Sequence, residues 1–308
     1  MFDKVAIVGP GLIGASMGMA LRRRGLARRV VGIGRRQESL DRALSVGAID
    51  KATMDPAKGV QGADLVVLAT PIGALSDVMS QVGEALEAEV ILTDVTSSKV
   101  KVIETISSAL RSRPDVAYIP THPMAGSEQS GPLAASAELF EGAICIITPL
   151  TNTFPDSKRL ITQMWNALGA RVVSMTPQAH DRAVARISHM PHLAAAAMLA
   201  VLKEADMSLC GKGLLDTTRV AGGSPDLWLD ICKTNREDIR DSLNDYIRVL
   251  KRVAEDLDGG NLGPLRTMLV DAKQKRDRLV EKRQSLNAAG KHGPHEAGAS
   301  GQCNTELK

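Results

Sequence analysis

The stretch "KVAIVGPGLIGASMGMALRRRG", residues 4–25, decides the fold. It opens on a valine- and isoleucine-rich run, breaks at Gly9-Pro10-Gly11, and resumes as an amphipathic stretch that ends in three arginines and Gly25. A short apolar run, then glycines, then a helical pattern spells strand, turn and helix. Inside it, Gly9-Pro10-Gly11-Leu12-Ile13-Gly14 has the spacing GxGxxG. That spacing is common by chance, but here it follows a strand and opens a helix, the context its mechanism requires. The first two glycines allow a tight turn and the approach of a pyrophosphate, and the third lets helix and strand pack closely. Free N–H groups at the helix start then face the anion. Gly9, Gly11, Leu12, Ile13 and Gly14 are therefore expected to hold a dinucleotide.

Working outward, similar runs recur at 29–34, 64–70, 89–95, 116–122, 143–149 and 170–176, and amphipathic stretches such as 74–86 separate most of them. Continuous apolar strands alternating with helices indicate a parallel sheet covered on both faces. After residue 176 the pattern changes. Residues 179–205 read as one long helix with an alanine-rich stripe, interrupted only at Pro191, and helical stretches follow at 225–234, 236–257 and 262–286. The expected architecture is α/β, an N-terminal Rossmann-type parallel-sheet domain over 1–176 followed by an all-α domain over 177–285. The Gly/Ala/Ser/His-rich segment 286–308 cannot bury a core and is expected to be a disordered tail.

Composition removes several alternatives. With 308 residues, 44% hydrophobic and 24% charged, the chain is long enough and apolar enough for two globular domains. Aromatic residues are 2% and the net charge is +3, which supplies neither stacking platforms nor a strong basic field for nucleic acid. Cys145, Cys210, Cys232 and Cys303 have no metal or disulfide spacing, and no long apolar segment reads as a leader or membrane span. A cytoplasmic protein without nucleic-acid or membrane partners is expected. His189 and His192 share a helix face but lack a nearby third ligand, so no metal site is expected.

The strand ends carry the chemistry. At the second strand, Gly34, Arg35 and Arg36 stand where NAD-selective folds usually place an acid on the ribose. Room at Gly34 and two guanidinium groups suit a 2′-phosphate, so NADP is the expected cofactor, with NAD also possible. Thr70-Pro71 ends the third run and Thr93 to Lys99 the fourth. On the same edge lies "THPMAGSEQSG", residues 121–131, which has no hydrophobic periodicity and reads as a loop. His122 falls at a strand's C-terminal end, where open α/β sheets bind ligands. A histidine beside a nicotinamide is placed to accept the proton of a substrate alcohol as hydride leaves the same carbon.

Residues 121–131 resemble the His-Pro-Met/Ile-Ala-Gly-Ser/Thr-Glu-x-Ser-Gly signature of the prephenate/arogenate dehydrogenase family of tyrosine biosynthesis. "DVTSSK" (94–99), "HDRAVARISHMPH" (180–192) and "DTTRVAGGSPDLW" (216–228) resemble further segments of that family in the same order, and the likeness spans about residues 4 to 285. The resemblance implies oxidative decarboxylation of arogenate or prephenate, yielding tyrosine or 4-hydroxyphenylpyruvate with transfer of hydride to NAD(P)+. It also implies roles. His122 takes the proton of the ring hydroxyl, and Ser97 holds that hydroxyl. Arg219 binds a substrate carboxylate with support from His192, and Glu128 sits at the pocket mouth. The helical domain would serve for substrate binding and as a homodimer interface, across which Trp228 reaches toward the partner's site.

Some readings stay open. Asp181 is a candidate partner for the ammonium of arogenate, or equally a residue stabilised at a helix start; His180 reads as a solvated residue there. A β-hydroxyacid dehydrogenase or pyrroline-carboxylate reductase would share the glycine loop and the helices, but lacks the His-Pro-Met-Ala-Gly loop. A dinucleotide sensor without turnover would have no need of His122, Ser97 and Arg219 together.

Overall fold

The computed structural model describes residues 1–291 apart from 128, 152 and 153, and side chains through residue 285. The chain forms two compact units, Met1–Lys251 and Arg252–Lys308. In the first, eight strands are ordered β3-β2-β1-β4-β5-β6-β7-β8. They are β1 (Phe2–Val8), β2 (Ala27–Ile33), β3 (Lys51–Thr53), β4 (Leu65–Leu68), β5 (Ile91–Asp94), β6 (Ala117–Pro123), β7 (Ile144–Ile147) and β8 (Arg171–Ser174). Helices α1 (Leu12–Arg23), α2 (Gln37–Ser45), α3 (Pro56–Val60), α4 (Leu75–Val82), α5 (Val100–Ala109) and α6 (Pro155–Ala167) connect them.

The sheet is buried because its central strands are apolar on both faces. Val5, Ile7, Leu65 and Val67 join one core with Met17, Leu21 and Trp165, while Ala6, Val8, Val66 and Leu68 join another with Met79, Val102 and Ile106. Alternate residues of the same run therefore serve opposite layers.

Two expectations about the sheet change. Strand β3 is short and carries Lys51 and Thr53, too little for an apolar run. The last two strands are also reversed, with β7 antiparallel to β6 and parallel to β8. The described residues of 124–143 contain a short 3-10 turn and no α-helix to carry a parallel crossover, so the chain returns antiparallel. From β7 to β8 the helix α6 is present and the pairing is parallel.

The long helical reading of 179–205 resolves into three pieces. Helix α7 (Pro177–Val184) is capped by Thr176, whose Oγ1 accepts the Ala179 N–H at 3.2 Å. A π-helical turn, Ala185–His189, follows, and α8 (Met190–Ala200) then begins with Pro191 in its first turn. Proline has no N–H to give and is tolerated at a helix start, so the widened turn carries the chain through it. Helices α9 (Lys212–Thr218), α10 (Pro225–Thr234) and α11 (Arg236–Asp258) come next. The second unit takes up the end of α11 and contains α12 (Leu262–Lys291), which runs six residues past the expected start of the tail; residues 292–308 lie outside the description.

Candidate active site

The order β3-β2-β1-β4-β5-β6 places a topological switch at the C-terminal ends of β1 and β4, where such sheets bind ligands. Gly9 closes β1 with φ +89°, a left-handed conformation, and its carbonyl accepts the Gly11 N–H at 2.7 Å. A Cβ on Gly9 would lie 2.8 Å from the Ala69 carbonyl oxygen, and one on Gly14 would lie 2.5 Å from that of Gly9. A Cβ on Gly11 would meet nothing within 4 Å. Two glycines are thus demanded by packing, and the middle one faces open space at the start of α1. Leu12 is the first helical residue and Ile13 packs on the sheet core. This cradle fits a pyrophosphate. Thr70, past the end of β4, has a buried Oγ1 with no partner among the described residues, and Pro71 is exposed beside it.

At the end of β2, Arg35 and Arg36 are exposed, and Arg36 is the N-cap of α2. Glu38, the first acid after them, is occupied by Arg42 at 2.5 Å. Gly34 is tighter than expected, since an added Cβ would meet Leu40 at 3.1 Å. That glycine serves the packing of α2 as well as the approach of a ligand.

At the end of β5, Asp94 is a buried hub. Its Oδ2 accepts from Thr96 Oγ1 and from Lys99 Nζ, both at 2.5 Å, and its Oδ1 accepts the Tyr118 hydroxyl at 2.8 Å. Asp94 and Lys99 are wholly buried, and a buried charge left alone would be prohibitive. Burial draws the Lys99 ammonium below its ordinary pKa while Asp94 opposes the fall; burial, and then Asp94, push the Tyr118 phenol well above its own. The hub locks the turn carrying Ser97, which is half-buried. Ser98 ties this turn to α10 by donating to Thr234 Oγ1 at 2.8 Å, and Asp230 of α10 accepts the Gly73 N–H at 3.0 Å.

His122 stands near the end of β6, next to β5 in parallel register, and is 8% exposed. Residues 121–123 are strand, so the loop expected over 121–131 begins only at Met124. The Nδ1 of His122 lies 2.8 Å from Nε2 of His180, and the Nδ1 of His180 lies 2.7 Å from Oδ1 of Asp181. Burial, followed by the neighbouring His180, Lys99 and His189, holds the His122 pKa well below the usual histidine value. It is a neutral acceptor at neutral pH.

This arrangement corrects one expectation and narrows another. His180 is fully buried rather than solvated at a helix start. Asp181, open between a substrate ammonium and a helix start, has its oxygens on the N–H groups of Lys99 at 2.8 Å and Val100 at 2.9 Å, satisfying the first turn of α5, besides His180. The readable signal is positional, because His180, Asp181 and Val184 form the buried face of α7. Asn235 completes the cluster, donating from Nδ2 to the Asp181 carbonyl at 2.9 Å and lying 3.2 Å from His189 Nδ1. Burial draws His189 down to about 4.

On the helical side, His192 is 5% exposed and stacks on Trp228 at 3.4 Å with the rings 14° apart. Its Nδ1 is buried without a partner among the described residues. Burial lowers its pKa, against a backbone hydrogen bond with Val220. Trp228, expected to reach across to a partner, spends one ring face within its own chain on His192; a Cβ on Gly223 would sit 2.6 Å from its Nε1. Arg219 is exposed and opens the 3-10 turn Arg219–Gly222. Glu128 lies outside the described residues.

Among known proteins, the family model for "Prephenate dehydrogenase, nucleotide-binding domain" matches residues 17–174, and that for "Prephenate dehydrogenase, dimerization domain" matches 176–281. The prephenate dehydrogenase of Bacillus subtilis is 31% identical over 286 residues, 91% of this chain and 76% of that protein. The cyclohexadienyl dehydrogenase of Zymomonas mobilis is 33% identical over 260 residues, 82% of this chain and 88% of that protein. A crystal structure of Aquifex aeolicus prephenate dehydrogenase with hydroxyphenyl propionate and NAD+ superimposes with a TM-score of 0.83 at 27% identity, covering 91% of this chain and 99% of that one. These matches do not favour a β-hydroxyacid dehydrogenase or a sensor. With both halves matched, and relatives at 31% and 33% identity over most of its length, the chain belongs to the prephenate dehydrogenase family of NAD(P)-dependent oxidoreductases.

Proposed function

We propose that this chain oxidises and decarboxylates arogenate, prephenate or both, using NADP in preference to NAD. The observation that supports it most directly is His122, a buried, neutral imidazole at the end of β6 in the same sheet that carries the glycine cradle after β1. His122 accepts the proton of the ring C4 hydroxyl as the C4–H electron pair departs. The ring carboxylate leaves as CO2, its C–C electrons enter the ring, and aromatisation drives the step. The bound dinucleotide supplies the hydride acceptor. Ser97, on the locked turn, hydrogen-bonds the reacting hydroxyl and fixes its distance from His122. Arg219 binds a substrate carboxylate, for which a guanidinium fork is well shaped. His192 supports that anion, held in place by Trp228.

Gly9, Gly11, Leu12, Ile13 and Gly14 hold the pyrophosphate, Thr70 and Pro71 line the nicotinamide side, and Gly34, Arg35 and Arg36 meet the adenosine ribose. Residues 1–176 serve the cofactor, and 177–285 serve the substrate and a homodimer. No described helix is long and apolar enough to cross a membrane, which suits a cytoplasmic enzyme.

Replacing His122 with Asn tests the assignment. It keeps a hydrogen-bond donor and removes the base, so kcat with NADP+ and either substrate falls roughly 10²–10⁴-fold with KM little changed. A variant keeping more than half of wild-type kcat would mean that His122 is structural.

A further inference from the structure

We propose that His180 and Asp181 are positioning residues for His122. Together they fix its imidazole in the tautomer whose Nε2 is bare and able to take up a proton. The inference rests on the reading of His122 as the base and adds what makes it one.

The chain of protons can be followed from its buried end. Both oxygens of Asp181 accept backbone N–H groups, Oδ1 from Lys99 at 2.8 Å and Oδ2 from Val100 at 2.9 Å. They sit at the N-terminus of α5, where the helix favours negative charge. A carboxylate so placed is an acceptor, so His180, 2.7 Å from Oδ1, donates from its Nδ1. A neutral imidazole carries one N–H, which leaves Nε2 of His180 bare. That bare nitrogen faces His122 Nδ1 at 2.8 Å, so His122 donates from Nδ1. The Nε2 of His122 is then the bare nitrogen, set by a carboxylate two rings away. When Nε2 takes a proton, the imidazolium keeps its Nδ1–H on His180, with the Asp181 charge behind it.

The other charged and titratable groups around His122 do not perform this task. Lys99, on the turn after β5, and His189, on the π-turn, both disfavour a second positive charge. Asp94 is held by Lys99, Thr96 and Tyr118. Cys145, paired beside β6 on β7, has its thiol pushed up by burial and stays neutral. Asp181 is the carboxylate in hydrogen-bonded line with the base. Its own place is secured by Asn235, which holds its carbonyl at 2.9 Å.

A purely structural alternative makes Asp181 a cap for α5 and His180 a filler. The two differ in ring protonation, which can be read in the full-length protein without any turnover. Ring-¹⁵N histidine labelling, with His122 and His180 assigned through His122→Asn and His180→Gln, reports the tautomer at neutral pH. The expected spectrum shows His122 neutral with its proton on Nδ1. A wild-type His122 protonated on Nε2 overturns the proposal.

Kinetics supply the second readout. Asp181→Asn presents an amide N–H to His180, reverses both tautomers, and should lower kcat about a hundredfold or more with substrate KM within about threefold. His180→Leu should do the same, and His180→Gln, which restores an acceptor for the His122 N–H, should recover activity to within roughly tenfold of wild type. A His180→Leu enzyme within threefold of wild-type kcat overturns the proposal. So does a loss in both variants that falls equally on kcat and KM along with a lowered Tm. If His122→Asn itself stays active, the assignment of the base fails, yet the spectrum still reports whether the relay exists.

Discussion

Leu65, Val66, Val67 and Leu68 of β4 have no exposed surface, whereas Val201 and Leu209 in the helical half are 81% and 82% exposed. Both regions lie in Met1–Lys251, and both are apolar. The sheet half is finished by its own helices, which cover it on two sides. The helical half leaves Ile187, Leu215 and Leu229 at 57–65% exposure, and the alanine stripe from Ala196 onward is exposed as well. So many exposed apolar side chains suit an interaction surface, and the match to a family model described as a dimerization domain fits a second copy as its cover. One deletion made in both halves breaks or sharpens the contrast. Leu65→Ala should cost about 2–5 kcal/mol of stability in urea melts, as for other closed cores. Leu209→Ala should change monomer stability by no more than about 0.5 kcal/mol while raising the dimer dissociation constant in sedimentation. A fully active monomer at micromolar protein would undo this account.

Buried histidines should also make the fold sensitive to acid. His189 is drawn down to about 4, while the unfolded chain protonates it near pH 6.5. Between those values the unfolded state binds the extra proton, so stability is intact above pH 6.5 and is lost as pH falls toward 4. A difference of that size corresponds to roughly 3 kcal/mol. His122, on β6 of the sheet, is also held well below the usual histidine value by burial, so the part due to His189 is read by difference. Lowering the pH from 7 to 4.5 should therefore reduce Tm in wild type and less so in His189→Gln. An identical acid slope in the two proteins would place the titrating group elsewhere.

What could be read in the sequence follows the same divide. The sheet's strands announced themselves because parallel strands buried on both faces are continuous apolar runs, and Gly9 to Gly14 carried a mechanism along with a spacing. Strand direction has no such signature, and the reversal of β7 was legible only as the missing helix over 124–143. The place of His122 could be read because a strand end fixes which edge of the sheet it occupies. His180 was misread and Asp181 was left open because their partners, His122 and the amides of Lys99 and Val100, are 58 to 82 residues away. Local pattern gives a helix start; the tertiary contact gives a buried relay.

The substrate side tests whether the helical half contributes binding as well as association. Arg219 is exposed on a 3-10 turn, remote in sequence from the cradle. Charge-assisted hydrogen bonds contribute roughly 1.5–3 kcal/mol, so Arg219→Ala should raise substrate KM about 10- to 100-fold while leaving cofactor KM within about twofold. Equal rises in both constants would make Arg219 a fold residue and would move the anion site to the sheet half.

The smallest effect is expected at the outer edge of the sheet half, where the cofactor's distal ribose would lie. Arg35 and Arg36 are exposed, Glu38 is already engaged by Arg42, and no acid precedes it at the end of β2. A 2′-phosphate there would gain charge-assisted hydrogen bonds, but solvent screens them. One surviving contact of about 1.4 kcal/mol gives roughly a tenfold preference for NADP in kcat/KM. The Arg35→Ala, Arg36→Ala double variant should lose that preference through KM for NADP, with kcat and NAD use unchanged. Because Gly34 is already tight against Leu40, installing an acid at 34 would disturb α2. The arginine pair is therefore the cleaner place to test selectivity. Equal use of both cofactors by wild type would reduce the arginines to surface charge and leave the glycine cradle as the sheet half's whole contribution to binding.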